Sequence, residues 1–255
     1  MQWWFRRTAK PDFRLLVWDE GDAVAGWLMD DDGYVIARPA RDDLASRIAL
    51  VAWAERDFRK RGRAAIEVSA GDDEPALIEA LLARGYARAA SAGDLLEYDI
   101  DGPTPDPEPP EGFRLASLAD LGDDEYIDLH RAAWSTVKPS EYGPQLHDLV
   151  TSAPDFRREM VPVALAPGGR PAAYCIAWLD TPSQSVEIEP LGTHPDYRRR
   201  GLGRAIVHEV FRLARERGAR SVMVWGSHDN AAARRLYTSA GMTPRRVVRE
   251  YRRAL

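Results

Sequence analysis

The stretch HPDYRRRGLGRAIVHEVF, residues 194–211, decides how this chain is read. Three arginines stand against Gly-Leu-Gly, and an amphipathic pattern follows at once, with apolar residues at Ile206, Val207, Val210, Phe211 and Leu213 and a stop at Gly218. A helix begins with unpaired backbone N–H groups and a partial positive charge. Glycine lets an anion come close to that backbone, and arginine adds paired donors for its oxygens. The segment is built to hold phosphate. It is not the dinucleotide G-x-G-x-x-G, because Ala205 to Val207 give no third glycine, and it lacks the G-K-[ST] ending of a Walker loop.

The positive charge is local. Lys and Arg number 35 against 40 Asp and Glu, a formal net charge of -5, which argues against a nucleic-acid partner. With 45% hydrophobic and 29% charged residues the 255-residue chain reads as one or two globular domains. Cys175 is the sole cysteine, which excludes an intrachain disulfide and any multi-thiolate metal site. The five histidines show no paired ligand spacing, so no metal is expected. MQWWFRRTAKPDF holds no signal-peptide run, and no later segment nears the roughly 20 apolar residues of a membrane span. The expected setting is the cytoplasm, without a membrane partner.

Working outward, DIDGPTPDPEPPEGF (residues 99–113) crowds proline, glycine and acid into a linker or a wall-hugging crossover, dividing the chain into 1–104 and 105–255. Beyond it the order reads β-α-β-β-β-α-β-α-β. Asp120 to Trp134 is a helix, SVEIEPLGTHP ends the third strand of a three-strand run, SVMVW is a buried strand, and Asn230 to Ala240 is a helix stopped by Gly241. The first half repeats part of this order: three strands, a helix ending at Gly62, the strand AAIEVSA, and a helix ending at Gly85. Gly62 and Gly85 stand 23 residues apart, as do Gly218 and Gly241, which points to an internal duplication. The first copy lacks a leading strand and helices, so it is either truncated or completes its sheet with help from the second.

Arg198-x-x-Gly201-x-Gly203, followed by DNAAARRLYTSAGM at residues 229–242, resembles the two conserved regions of the GNAT superfamily of N-acetyltransferases. The likeness covers about residues 113–252, and the whole is similar to tandem GNAT proteins. The fold it implies is α/β: tandem GNAT-like folds, each a mixed, mostly antiparallel sheet flanked by helices. The implied co-substrate is acetyl-CoA. Its pyrophosphate would lie on Arg198, Arg199, Arg200, Gly201, Leu202, Gly203 and Arg204. Its pantetheine arm would lie along the backbone of Leu191, Gly192 and Thr193 and against Asn230, which as a plain helix cap would need no ligand. His194 would stand near the cofactor.

The activity implied is transfer of an acetyl group to a small-molecule amine by direct attack in a ternary complex. An amine must first lose a proton, and the thiolate must gain one. Tyr237 is the implied acid. Glu187 and Glu189 share a strand face, and either could serve as base; Glu189 is favoured because Pro190 beside it suits a bulge. Trp134, Lys138 and Tyr142 fall where the family's acceptor-binding segments lie. In the first half the loop reads RPARDDL, with Asp42 and Asp43 where phosphate would be repelled, and the second helix has no tyrosine. That half is expected to be a degenerate copy that shapes the acceptor cleft. A sensor of acyl-CoA or a scaffold is the alternative to an enzyme, and a homodimer is left open.

Overall fold

A computed structural model describes residues 13–31, 34–41, 43–135 and 139–255; Asp42 and Lys138 lie outside them. In order, the elements are β1 (Phe13–Glu20), β2 (Ala23–Asp31), β3 (Tyr34–Pro39), α1 (Leu44–Lys60), β4 (Ala65–Gly71), α2 (Pro75–Ala83), β5 (Ala87–Asp99), β6 (Arg114–Ser117), α3 (Asp123–Trp134), α4 (Pro144–Thr151), β7 (Pro162–Leu165), β8 (Pro171–Asp180), β9 (Ser185–Thr193), α5 (Leu202–Glu216), β10 (Ser221–Ser227), α6 (Ala231–Ser239) and β11 (Thr243–Ala254). The mixed, mostly antiparallel α/β architecture matches the expectation. Two elements were not foreseen. ARAASAGDLLEYD forms β5 although alanine dominates its first half, and α4 starts on Pro144 at its first position.

The described residues divide into two compact units, 13–94 with 227–229 and 246–255, and 95–226 with 230–245. In the first unit β1, β2 and β3 form an antiparallel run, and β3 pairs in parallel with β4 at Tyr34↔Glu67 and Val35↔Val68. The chain's last residues then run antiparallel to β4, from Val248↔Gly71 to Ala254↔Ala65. The sheet of the first unit thus includes the C-terminal strand. Leu28, Val51, Phe58, Ile66, Leu81 and Tyr251 are buried between the sheet and α1 and α2.

A charged network locks that core. Glu55, buried on α1, accepts from Arg84 Nη2 at 2.8 Å, from the Tyr86 hydroxyl at 3.1 Å and from Arg253 Nη1 at 3.1 Å. Burial alone would raise its pKa, but the Arg84 hydrogen bond and charge more than offset this and hold it below the ordinary 4.5. Glu55→Ala should cost about 2 kcal/mol, a discounted value because Arg84 and Arg253 can return to water. A group with a depressed folded pKa stabilises above its unfolded pKa. The native protein's advantage over the variant, read by denaturant melts, should therefore persist at neutral pH and fade as the pH drops below 4.5.

In the second unit β6, β7, β8 and β9 are antiparallel neighbours, and β10 joins β9 in parallel. β8 alternates across the sheet. Cys175 and Ala177 face α5, packing with Ile206, Val207, Val210 and Phe211, while Tyr174, Ile176 and Trp178 face α3 and α4, packing with Tyr126, Leu129 and Tyr142. The proline-rich crossover hugs α5. His208 bonds the backbone of Asp106, and Pro110 lies 3.7 Å from where a Gly201 Cβ would stand.

Candidate active site

The loop after β9 turns into α5 through Gly201, whose φ of +87° is a left-handed conformation that suits glycine. Among the described residues no side chain caps α5. Its first N–H groups, at Leu202, Gly203 and Arg204, point out of the helix end. The first unit handles the matching helix start differently. Asp43 caps α1, its Oδ1 accepting from Ser46 N at 2.8 Å and its Oδ2 from Ser46 Oγ at 2.9 Å. An acidic side chain of the protein itself stands where an anionic ligand would sit. Gly203 has a second reason to lack a side chain: a Cβ there would lie 3.1 Å from Leu236, so its absence lets α6 pack against the start of α5.

The arginines divide their work. Arg199, Arg200 and Arg204 are exposed around the loop. Arg200 lies 5.7 Å from the centroid of the Tyr197 ring and donates to Asp196 O at 3.4 Å. Arg198 is expected at the pyrophosphate, yet its Nη2 donates to Ala133 O at 2.8 Å and its Nε to Thr193 O at 3.2 Å, tying the loop to the end of α3. His194 also serves the loop. Its Nδ1 accepts from Asp196 N at 3.2 Å and its Nε2 lies 3.0 Å from Arg170; burial and then the Arg170 charge lower its pKa, so the ring is neutral at pH 7.

β9 and β10 pair only from Ser185↔Ser221 to Glu187↔Met223. Past that point, among the described residues, β9 keeps its β8 partner while β10 leaves it, and a register shift between Cys175 and Ala177 marks a bulge opposite Glu189 and Pro190. The Trp178 indole donates to Glu189 O at 2.7 Å and fixes the bulge. Leu191, Gly192 and Thr193 pair with Cys175, Tyr174 and Ala173 and leave their other edge toward the opening. Gly192 has no room for more, since a Cβ would come within 2.6 Å of Tyr174.

The two glutamates now separate. Glu187 is buried opposite Trp178. Glu189 is half-buried at the bulge, and its charge raises the pKa of Tyr174, Cys175 and Tyr237, in each case after the larger effect of burial. Three groups from both faces of the sheet thus sense one carboxylate. Tyr237, on α6, is buried and holds its proton far above neutral pH, through burial first and then Cys175 and Glu189. Asn230 is the cap of α6, its Oδ1 accepting from Ala233 N at 3.1 Å.

A wall of rings lies beside this point. Tyr126, His130 and Trp134 recur at every fourth residue of α3, a stripe visible in the sequence whose partners were not. Trp134 Nε1 donates to the Tyr174 hydroxyl at 2.8 Å, and His130 stacks on Tyr142 with centroids 3.6 Å apart. Tyr174, absent from the sequence-derived candidates, connects this wall to Gly192. Among the described residues no three His, Cys, Asp or Glu side chains gather as metal ligands, and no helix is long and apolar enough to cross a membrane.

The Acetyltransferase (GNAT) family matches residues 124–242. The mycothiol acetyltransferase of Beutenbergia cavernae is 37% identical over 84 residues, 32% of this chain but only 28% of that relative's length. That of Thermobispora bispora is 27% identical over 262 residues, covering 94% of this chain and 83% of the relative. Among solved structures, a GCN5-related N-acetyltransferase from Sphaerobacter thermophilus aligns over 91% of this chain and 77% of its own, with a TM-score of 0.69 and 20% identity. A tandem GNAT protein from the clavulanic acid biosynthesis pathway aligns over 97% and 85%, with a TM-score of 0.68 and 20% identity. Both share the fold.

Proposed function

We propose that this protein, whose residues 124–242 match the Acetyltransferase (GNAT) family, is an acyltransferase that moves an acetyl group from acetyl-CoA to the amine of a small molecule, with both substrates bound together. The observation that carries this reading is the contrast between two helix starts. That of α5 is uncapped, glycine-lined and ringed by Arg199, Arg200 and Arg204, whereas that of α1 is filled by Asp43. A pyrophosphate suits the first and is repelled by the second. We take residues 105–255 as the acetyl-CoA domain and 1–104 as a degenerate copy of the same fold.

The residues present suit the co-substrate. Bound acetyl-CoA would supply a thioester as acyl donor. Arg199, Arg200, Arg204 and the N–H groups of Gly201, Leu202 and Gly203 would hold its phosphates, with Arg198 bracing the loop from behind. The free edge of Leu191, Gly192 and Thr193 would offer N–H and C=O groups to the extended arm, and a backbone N–H there would stabilise charge on the carbonyl oxygen. Asn230 would keep α6 in place at the arm's side. Glu189 would accept a proton from the incoming ammonium, and Tyr237, which stays protonated at neutral pH, would give one to the departing thiolate. No metal takes part. A cytoplasmic setting fits these substrates.

The relatives' name puts a mycothiol-related amine among the acceptors to test. The purified protein should be given acetyl-CoA with a panel of primary amines: an alkylamine, an amino sugar, an amino-acid amide and a mycothiol-related amine. Release of free thiol should depend on one of these amines, with matching N-acetylated product. Stabilisation by acetyl-CoA without acetylation of any amine would contradict the reading and favour a sensor of acyl-CoA.

A further inference from the structure

Behind the ring wall lies a chain of polar groups that the proposed chemistry does not use. His147, on α4, is 1% exposed, yet both its ring nitrogens face partners. Nε2 lies 3.2 Å from Asp123 Oδ1 at the start of α3, and Nδ1 lies 3.1 Å from the Tyr142 hydroxyl. Asp123 also accepts from Arg158 Nη2 at 2.7 Å, and this bond first, with His147 after it, keeps its carboxyl below the ordinary range. An ionised carboxylate can only accept. A proton on His147 Nε2 would face this carboxylate across 3.2 Å, and the neutral ring would then leave Nδ1 to accept from the Tyr142 hydroxyl.

The far end of that chain is the ring wall. Tyr142 stacks nearly flat on His130, the two planes 12° apart. His130 stands 5.3 Å from the Tyr174 ring, which bears on Gly192 and receives the Trp134 hydrogen bond. A tyrosine held only by packing could slide or tilt about its stack; one whose hydroxyl is bound to a fixed histidine cannot. We propose that Asp123, His147 and Tyr142 are positioning residues, a polar strut that holds His130 and Trp134 at the face where the acceptor amine approaches Glu189. The strut rests on the proposed role of Glu189 for its purpose, but not for its geometry.

Two measurements separate these. Long-range proton–nitrogen spectra of the full-length protein labelled with nitrogen-15 histidine should show His147 as the Nε2–H tautomer, and Asp123→Asn should displace the Trp134 indole signal, which lies at the other end of α3. With the panel amine turned over fastest, Tyr142→Phe keeps the ring stack but cuts the strut. It should raise the amine KM about tenfold, leaving kcat and the acetyl-CoA dissociation constant within about twofold. A purely structural hydroxyl would lower the melting temperature without this split. An Nδ1–H tautomer, an unmoved Trp134 signal in Asp123→Asn, or an unchanged amine KM in Tyr142→Phe would each overturn the strut. If no panel amine is turned over by the native protein, the acetyl-transfer reading fails, while the tautomer and the Trp134 signal still decide the strut.

Discussion

Glu189→Gln should lower kcat by about a hundredfold or more while the affinity for acetyl-CoA stays within about twofold. An ammonium has no lone pair to attack with, so the reaction waits on a base, and loss of a positioned base costs about 10² to 10⁴ in rate. Glutamine preserves the size of the side chain and the local backbone. The Trp178 bond that fixes the bulge goes to the Glu189 carbonyl oxygen of the main chain, which the substitution leaves in place. Glu187→Gln is the matched control, buried opposite Trp178, and its rate should change far less. Equal losses in both variants would move the base to another group.

Gly203→Asp should remove the stabilisation that acetyl-CoA confers. It puts a carboxylate on the first turn of α5, where the pyrophosphate is proposed to lie, and repeats in the second unit what Asp43 does in the first. The added Cβ also meets Leu236 at 3.1 Å. Gly203→Ala meets the same leucine without the charge, so it separates packing from repulsion. The alanine variant should retain most of the ligand-induced shift in melting temperature, and the aspartate variant none.

Much of the second unit was legible in the sequence because its signals are local. The Gly-Leu-Gly at the start of α5 and the apolar stripe behind it, Asn230 before α6, and Pro190 beside a glutamate each state their structural role within a few residues. The preference for Glu189 over Glu187 as the proposed base rests on Pro190 and its bulge, since strand parity puts both on one face; the structure adds that Glu187 is buried opposite Trp178. What stayed hidden depends on residues far apart in the chain. Arg198 reads as a phosphate ligand in the sequence, and its bond to Ala133 O, 65 positions earlier, shows only in the structure. Tyr174 is one apolar residue among ten in β8 until Trp134 and Gly192 close on it. The pairing of residues 248–254 with the first unit's sheet could be posed as a question from the sequence but not answered, since an arginine-rich terminal strand does not announce its partner. β5 was missed because half its residues have weak strand preference and gain their conformation from neighbours.

In the proposed function the loop before α5 holds acetyl-CoA. The most direct measurement is a thermal unfolding curve of the native protein with and without acetyl-CoA. At 100 times its dissociation constant a ligand adds about 2.7 kcal/mol, which for a protein of this size should raise the melting temperature by about 5 °C or more. That rise, absent in Gly203→Asp, is the expected result. An unchanged curve at saturating acetyl-CoA, or a rise that survives in Gly203→Asp, would contradict the claim.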